Sequence, residues 1–228
     1  MLDSYELRPK VHVVLRDNAA NMSKAMMLAG LPSTGCFAHS LQLCIQKPLT
    51  SRAATLAWLS NLLATCRALV GHFSHSVLAK QKLRAIQSTM PDCPKRKLIQ
   101  YVQTRWNSTY YMLRSIADQE TALAAYERSA GSNLPVAVPQ AYQFRFMRQL
   151  VTLLEPLEEI TRKVCSARAH AGDVIPCLKA ISLNLENCGD DVERVKESLQ
   201  QQLGTTAVML NIFVFAELFI TALFELLF

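Results

Sequence analysis

The chain has 228 residues, half of them apolar and 18% charged, with 24 Lys and Arg against 18 Asp and Glu. That length buries a sizeable core in one or two domains, which excludes a disordered tail, a collagen and a disulfide miniprotein. Seven glycines and nine prolines leave little room for the turns of an all-β sandwich, so a mainly helical protein is expected, while the net charge of +6 points either to nucleic acid or another acidic partner, or to an ordinary solvated surface.

In chain order, the β-branched run Val11 to Leu15, bounded by Pro9 and by Asp17-Asn18, reads as a buried strand with Asp17 just past its carboxyl end. Asp17 or Asn18 can then cap a helix over Ala19 to Leu28, which Gly30, Leu31 and Pro32 terminate, with a second short strand around Gly35 to Phe37. From Ala38 the pattern is helical. Leu56, Leu59, Leu62, Leu63, Cys66, Leu69 and Val70 recur at steps of three and four, as do Trp106, Tyr110, Leu113 and Ala117, and then Met147, Leu150, Leu154, Leu157, Ile160 and Val164. Loops are expected at Ser88 to Lys95, at Gly131 to Pro139 and at Gly172-Asp173, and no repeat of solenoid period emerges.

The last stretch, Val208 to Phe228, is the most apolar and would span about 31 Å as a helix, enough for a bilayer core. Asn211, Glu217, Thr221 and Glu225 nevertheless fall on one polar stripe, and no Lys or Arg follows Lys196. A carboxylate at mid-membrane costs about 2.5–3.5 kcal/mol. A packed, mostly buried helix is therefore expected, with a tail-anchored membrane segment as the alternative.

Four features bear on chemistry. Asp17 occupies the place where open α/β sheets put functional groups, and it is equally placed to cap the next helix. Cys36-Phe37-Ala38-His39 is a C-x-x-H, but the remaining histidines have no paired cysteine at zinc-site spacing, so no zinc site is expected. Arg105 beside Trp106 offers a cation and a flat ring, able to hold a phosphate and stack on a base, or else to serve as a surface charge and a core anchor. Lys95-Arg96-Lys97 reads as a solvated helix start able to touch a phosphate backbone. The absence of P-loop, G-x-G-x-x-G and G-x-S-x-G patterns removes the common nucleotide-binding and hydrolase readings. Seven cysteines, an odd number without C-x-x-C and without a signal pattern ahead of them, suit a soluble protein with reduced thiols in a reducing compartment.

Taken in order, Asp17-Asn18-Ala19-Ala20-Asn21-Met22-Ser23-Lys24-Ala25, Cys36-Phe37-Ala38-His39-Ser40-Leu41-Gln42-Leu43 and Arg105-Trp106-Asn107-Ser108-Thr109-Tyr110-Tyr111-Met112-Leu113 resemble the hAT superfamily of DNA transposases, and among them the domesticated BED-type zinc finger proteins. The resemblance runs over residues 8–185. It implies an RNase H-like core interrupted by a large helical insertion domain, in which two Asp and one Glu hold divalent ions such as Mg for phosphodiester cleavage and strand transfer. Asp17 then matches the second Asp, a metal ligand. Cys36 and His39 match the C-x-x-H at the junction of core and insertion, where the His approaches DNA. Trp106 matches the aromatic associated with a flipped base, and Arg105 beside it is a phosphate contact.

Departures from the family pattern set the expected activity. Few residues precede the Val11 strand, and Asp3 is too close to serve as the first Asp; Glu217 and Glu225 stand in no matching context for the catalytic Glu; the BED finger has no counterpart. The expectation is a mainly α chain, a fragment of an RNase H-like α/β core at residues 1–37 followed by an α-helical insertion domain at 38–207 and an atypical apolar helix at 208–228. The resemblance implies a vestigial Asp17, a nuclear location, DNA as partner, self-association, and no small-molecule substrate. A helical protein-interaction module without DNA binding is the competing reading.

Overall fold

The computed structural model describes residues 2–131, 134–186 and 192–205. The apolar run Val208 to Phe228, with Glu217 and Glu225, lies outside the described residues, as does Cys188. The molecule is mainly helical, with one two-stranded parallel sheet at its amino-terminal end.

Strand β1 is Val14–Arg16, helix α1 is Ala20–Ala29 and strand β2 is Ser33–Gly35. The strands pair in parallel register, Val14 opposite Ser33 and Arg16 opposite Gly35. The first strand is shorter and later than the run Val11 to Leu15 suggests, because Arg8–Lys10 form a tight turn and only three residues of β2 are available to pair. The second strand also ends early: the Cys36 N–H closes the ladder on the Arg16 carbonyl at 2.7 Å, and Phe37 already begins the next helix. Gly30 ends α1 as expected, in the left-handed region at φ 60°, where a side chain would be strained.

The strand is not buried, against the expectation. Leu15 is 67% exposed, and Met27 and Leu28 of α1 are 73% and 75% exposed. Parallel strands are normally covered on both faces, and here a two-stranded pair with one helix leaves apolar surface uncovered among the described residues.

The body is a helical bundle. It comprises α2 (Phe37–Leu49), α3 (Ala57–His75), α4 (Val77–Thr89), α5 (Trp106–Ala117), α6 (Glu120–Ala130), α7 (Ala141–Val164), α8 (Val174–Glu186) and a last helix, α9, at 193–205. Each buries the face its periodicity marks. On α3, Leu59, Leu62, Leu63, Cys66, Leu69, Val70 and Phe73 are buried; on α7, Met147, Leu150, Leu154 and Leu157 are. Burying such a side chain contributes about 1.5–3 kcal/mol, enough to outweigh the weak propensity of any one turn. Burial also pushes the Cys66 thiol up to about 12, which makes it an inert core residue.

Helix α7 is the spine of the bundle, packed against α5, α2 and α8, while α4 packs on α6 and on α3. A Gln140–Gln143 capping box starts α7, and Ser76 caps α4 through the Ala79 N–H at 3.1 Å. Among the described residues no single helix is long and apolar enough to cross a membrane.

Between α4 and α5 the chain forms no helix or strand from Met90 to Arg105, a longer irregular stretch than the expected loop at Ser88 to Lys95. Side chains from elsewhere in the chain hold it in place. Gln87 Nε2 donates to the Arg96 carbonyl, Ser115 Oγ accepts the Ile99 N–H, Gln46 Nε2 donates to the Gln103 carbonyl and Gln42 Nε2 to the Thr104 carbonyl, all within 2.9–3.1 Å. The stretch is a strap laid across the bundle, with its backbone polar groups partly satisfied from below.

Candidate nucleic-acid interface

The strap, the outer face of α2, the first turn of α5 and the last turns of α7 enclose an open cleft of about 1250 Å³. His39, from the C-x-x-H at the start of α2, lines one wall, and Arg105 and Asn107, from the Arg-Trp block, line another. Two blocks more than sixty residues apart thus meet in one concavity. Their meeting depends on the strap: Gln42 and Gln46, one turn apart on α2, hold residues 103–104. Ser108 accepts the Val102 N–H at 2.8 Å, which fixes the turn that delivers Arg105 to the N-terminus of α5.

Arg105 is exposed and, among the described residues, makes no side-chain hydrogen bond or ion pair. Its position is unfavourable for α5, since a cation at a helix N-terminus opposes the macrodipole by about 0.3–1 kcal/mol. A residue that weakens its own helix and points to no acid is available for an anionic ligand.

Arg162, near the end of α7, adds a second cation to the cleft. Its Nε lies 3.2 Å from Glu158, the one carboxylate in the lining among the described residues, and the Tyr111 hydroxyl donates to the other oxygen of Glu158. The Glu158 side chain is 6% exposed and that of Arg162 is 68% exposed, so the negative charge is sheathed and the positive one faces outward. The hydrogen bond to Glu158, with burial adding to it, pushes the Tyr111 hydroxyl up to about 12. A raised phenol contributes stability that is complete below its ordinary value of 10.0 and is lost as pH rises through about 12. Glu158→Gln keeps an acceptor for Tyr111 but removes the charge. It is expected to flatten the loss of stability between pH 10 and 12, measured by urea unfolding, while changing stability at pH 7 by about 1 kcal/mol or less, because the buried charge and the ion pair that offsets its desolvation are removed together and the Arg162 side chain stays solvated.

Asp17, Cys36 and Trp106 stand outside this lining. The Asp17 carboxylate is exposed and accepts the Ala19 N–H at 3.2 Å, a turn that leads into α1. Among the described residues no group of three or more His, Cys, Asp or Glu converges as a metal site. A lone solvated carboxylate engaged by its own backbone does not fit a two-metal centre, and no metal-dependent step follows from it. Cys36 caps the start of α2, half-buried. The Cys165 thiol, in the cleft wall, is raised by burial and further by its nearness to Cys36. Trp106 takes the second of its two expected places. It is 1% exposed, a core anchor with Tyr110 and Leu113, so no face of the indole is open for a base to stack on.

Sequence reasoning missed Arg162, Gln42, Gln46 and the Tyr111–Glu158 pair. A signal existed for one of them, since Glu158 falls on the apolar register of α7 between Leu154, Leu157 and Thr161, where a carboxylate needs a partner. His72, on α3, has its Nε2 3.0 Å from the Tyr126 hydroxyl.

The ZBED1 RNase-like helical domain family matches residues 34–143. Zinc finger BED domain-containing protein 6 is 28% identical to this chain in Homo sapiens and 27% in Mus musculus, over 180 residues that make up 79% of the chain. Zinc finger BED domain-containing protein 4 of Homo sapiens is 24% identical over 204 residues, 86% of the chain. These stretches are 17–18% of the relatives, so the chain spans less than a fifth of the length of the curated relatives it matches. The matched region contains His39, Arg105 and the strap between them, and over it this chain is similar to the hAT-derived proteins of the BED-type zinc finger group.

Proposed function

We propose that this chain is a DNA-associated, non-catalytic module of a hAT-derived nuclear protein, which holds the phosphate backbone in the cleft between α2, the strap and the end of α7. The observation that carries this reading is the convergence of His39, Arg105 and Arg162 on one concavity whose single carboxylate is buried and hydrogen-bonded. Arg105, which meets no acid among the described residues, and Arg162, whose Glu158 partner is buried, suit a row of phosphates, and backbone contacts of this kind give affinity without strong sequence preference. Asp17 is a vestigial position of the Mg site in this reading, supported by its engagement in a local turn.

Residues 1–37 are the remnant of an RNase H-like core, and 38–207 the helical insertion domain. The parallel β1–α1–β2 unit with uncovered apolar faces supports the first assignment, and the same uncovered Leu15, Met27 and Leu28 support self-association.

The test is the salt dependence of binding to a fluorescent duplex. Backbone binding weakens steeply between about 50 and about 200 mM salt, with log affinity linear in log salt. Affinity that is flat over that range, or absent at the lower salt, rejects the reading in favour of a helical protein-interaction module.

A further inference from the structure

A second concavity lies beyond the strap, between the end of α3 and α4. Its volume is about 150 Å³, and Lys80 and Arg84 of α4 and Arg96 and Lys97 of the strap surround an apolar floor of Val70, Phe73 and Leu83. Among the described residues no Asp or Glu lines it. Lys80 Nζ donates to the Ser74 carbonyl at 2.7 Å, where it also answers the negative end of α3, whereas Arg84, Arg96 and Lys97 make no side-chain hydrogen bond or ion pair among the described residues.

The arrangement is built, since two of the cations sit on a strap that a buried amide pins. Gln87 is 2% exposed and donates to both the Arg96 carbonyl and the Gln119 side chain. Like charges held together without an acid repel one another, and an anion seated among them relieves that repulsion. The volume suits one phosphate group.

The strap also joins this concavity to the first. Arg96 and Lys97 border a further hollow of about 330 Å³, and Ile99 and Tyr111 of that hollow border the large cleft. Cations thus stand along the strap at Arg105, Lys97 and Arg96 and continue to Arg84, with Arg114 and a carboxylate, Asp118, in the hollow between.

We propose that the α3–α4 concavity is a second phosphate site, engaged by the same nucleic-acid backbone that enters the first cleft. This rests on the DNA reading above and adds to it a bipartite contact along the strap.

The experiment compares the full chain with the triple variant Arg84→Gln, Arg96→Gln, Lys97→Gln on a fluorescent duplex of about 30 base pairs, long enough to pass both sites. Circular dichroism checks the fold, and Lys82→Gln, an exposed α4 cation outside the concavity, serves as control. Expected is a loss of affinity of about tenfold or more and a salt slope smaller by about 1, with Lys82→Gln changing affinity less than about twofold. Lysine acetylation in the complex gives an independent readout, with Lys97 protected by bound duplex and Lys82 on α4 still reactive. A triple variant with unchanged affinity and slope overturns the second site while leaving the first standing. A triple variant that loses affinity when Arg105→Glu does not supports the second site and rejects the first. If Lys97 acetylates as fast in the complex as free, the second site is overturned, whatever the variant does to affinity.

Discussion

Trp106→Ala is expected to cost about 3–5 kcal/mol of stability, a large part of the roughly 5–15 kcal/mol that holds a domain of ordinary size. Trp106 opens α5 and is fully buried, and α5 makes the most extensive packing on α7, so the cavity would open where two helices depend on each other. Substitution by Phe should cost much less. Among the described residues the indole Nε1 is buried without a hydrogen-bond partner, so Phe sheds an unsatisfied donor while keeping most of the apolar volume. The measurement is the urea midpoint of the three proteins, with Phe expected within about 1.5 kcal/mol of the parent and Ala well below both. A base-stacking Trp would behave in the opposite way, with Ala nearly neutral for stability and both variants weakening DNA.

Arg105→Glu should separate binding from stability. The guanidinium touches no acid among the described residues, and Glu at the N-terminus of α5 complements the helix dipole, so stability is expected to hold or rise by about 0.3–1 kcal/mol. Affinity for duplex should fall by about tenfold or more, and the salt slope should shrink by about 1, as one phosphate contact becomes a repulsion. Arg162 gives a less clean result. Removing it leaves the buried Glu158 carboxylate with Tyr111 alone, so Arg162→Gln takes away a cation, unmasks an anion and lowers stability together. A gain in stability with a loss in binding is therefore the signature at Arg105, and joint loss is the signature at Arg162. Both are read from urea midpoints and fluorescence anisotropy.

The helices were legible because their burial repeats locally. Trp106, Tyr110 and Leu113 mark α5 at its observed bounds, and Met147 to Val164 mark most of α7. Strand β1 starts three residues after the β-branched run does and ends one residue after it, since such a run shows where a strand is possible and only the partner, Ser33–Gly35, decides which residues pair. Gly35 shows the same kind of remote dependence: a Cβ there would stand 2.5 Å from Asn18 Oδ1, and Asn18 binds Ser40 of α2.

Of the strap, only its first part, within the expected loop at Ser88 to Lys95, was legible. Its path is set by Gln42, Gln46, Gln87, Ser108 and Ser115, ordinary polar residues that become specific only when α2, α4 and α5 are assembled. For the same reason His39 and Arg105 were found as motifs, while the cleft that unites them, and the part of Arg162 in it, were not. Trp106 was ambiguous because Arg next to Trp describes a stacking platform and a core anchor in the same two letters, and burial is a property of the whole bundle.

Hydrogen exchange of the chain with and without bound duplex tests the location of the interface most directly. Residues 99–105 of the strap and the first turns of α2 and α5 are expected to slow in the complex, because the backbone of DNA would cover the cleft they form. Protection confined to α1 and α6, with residues 99–105 exchanging at the free rate in a saturated complex, would contradict the account.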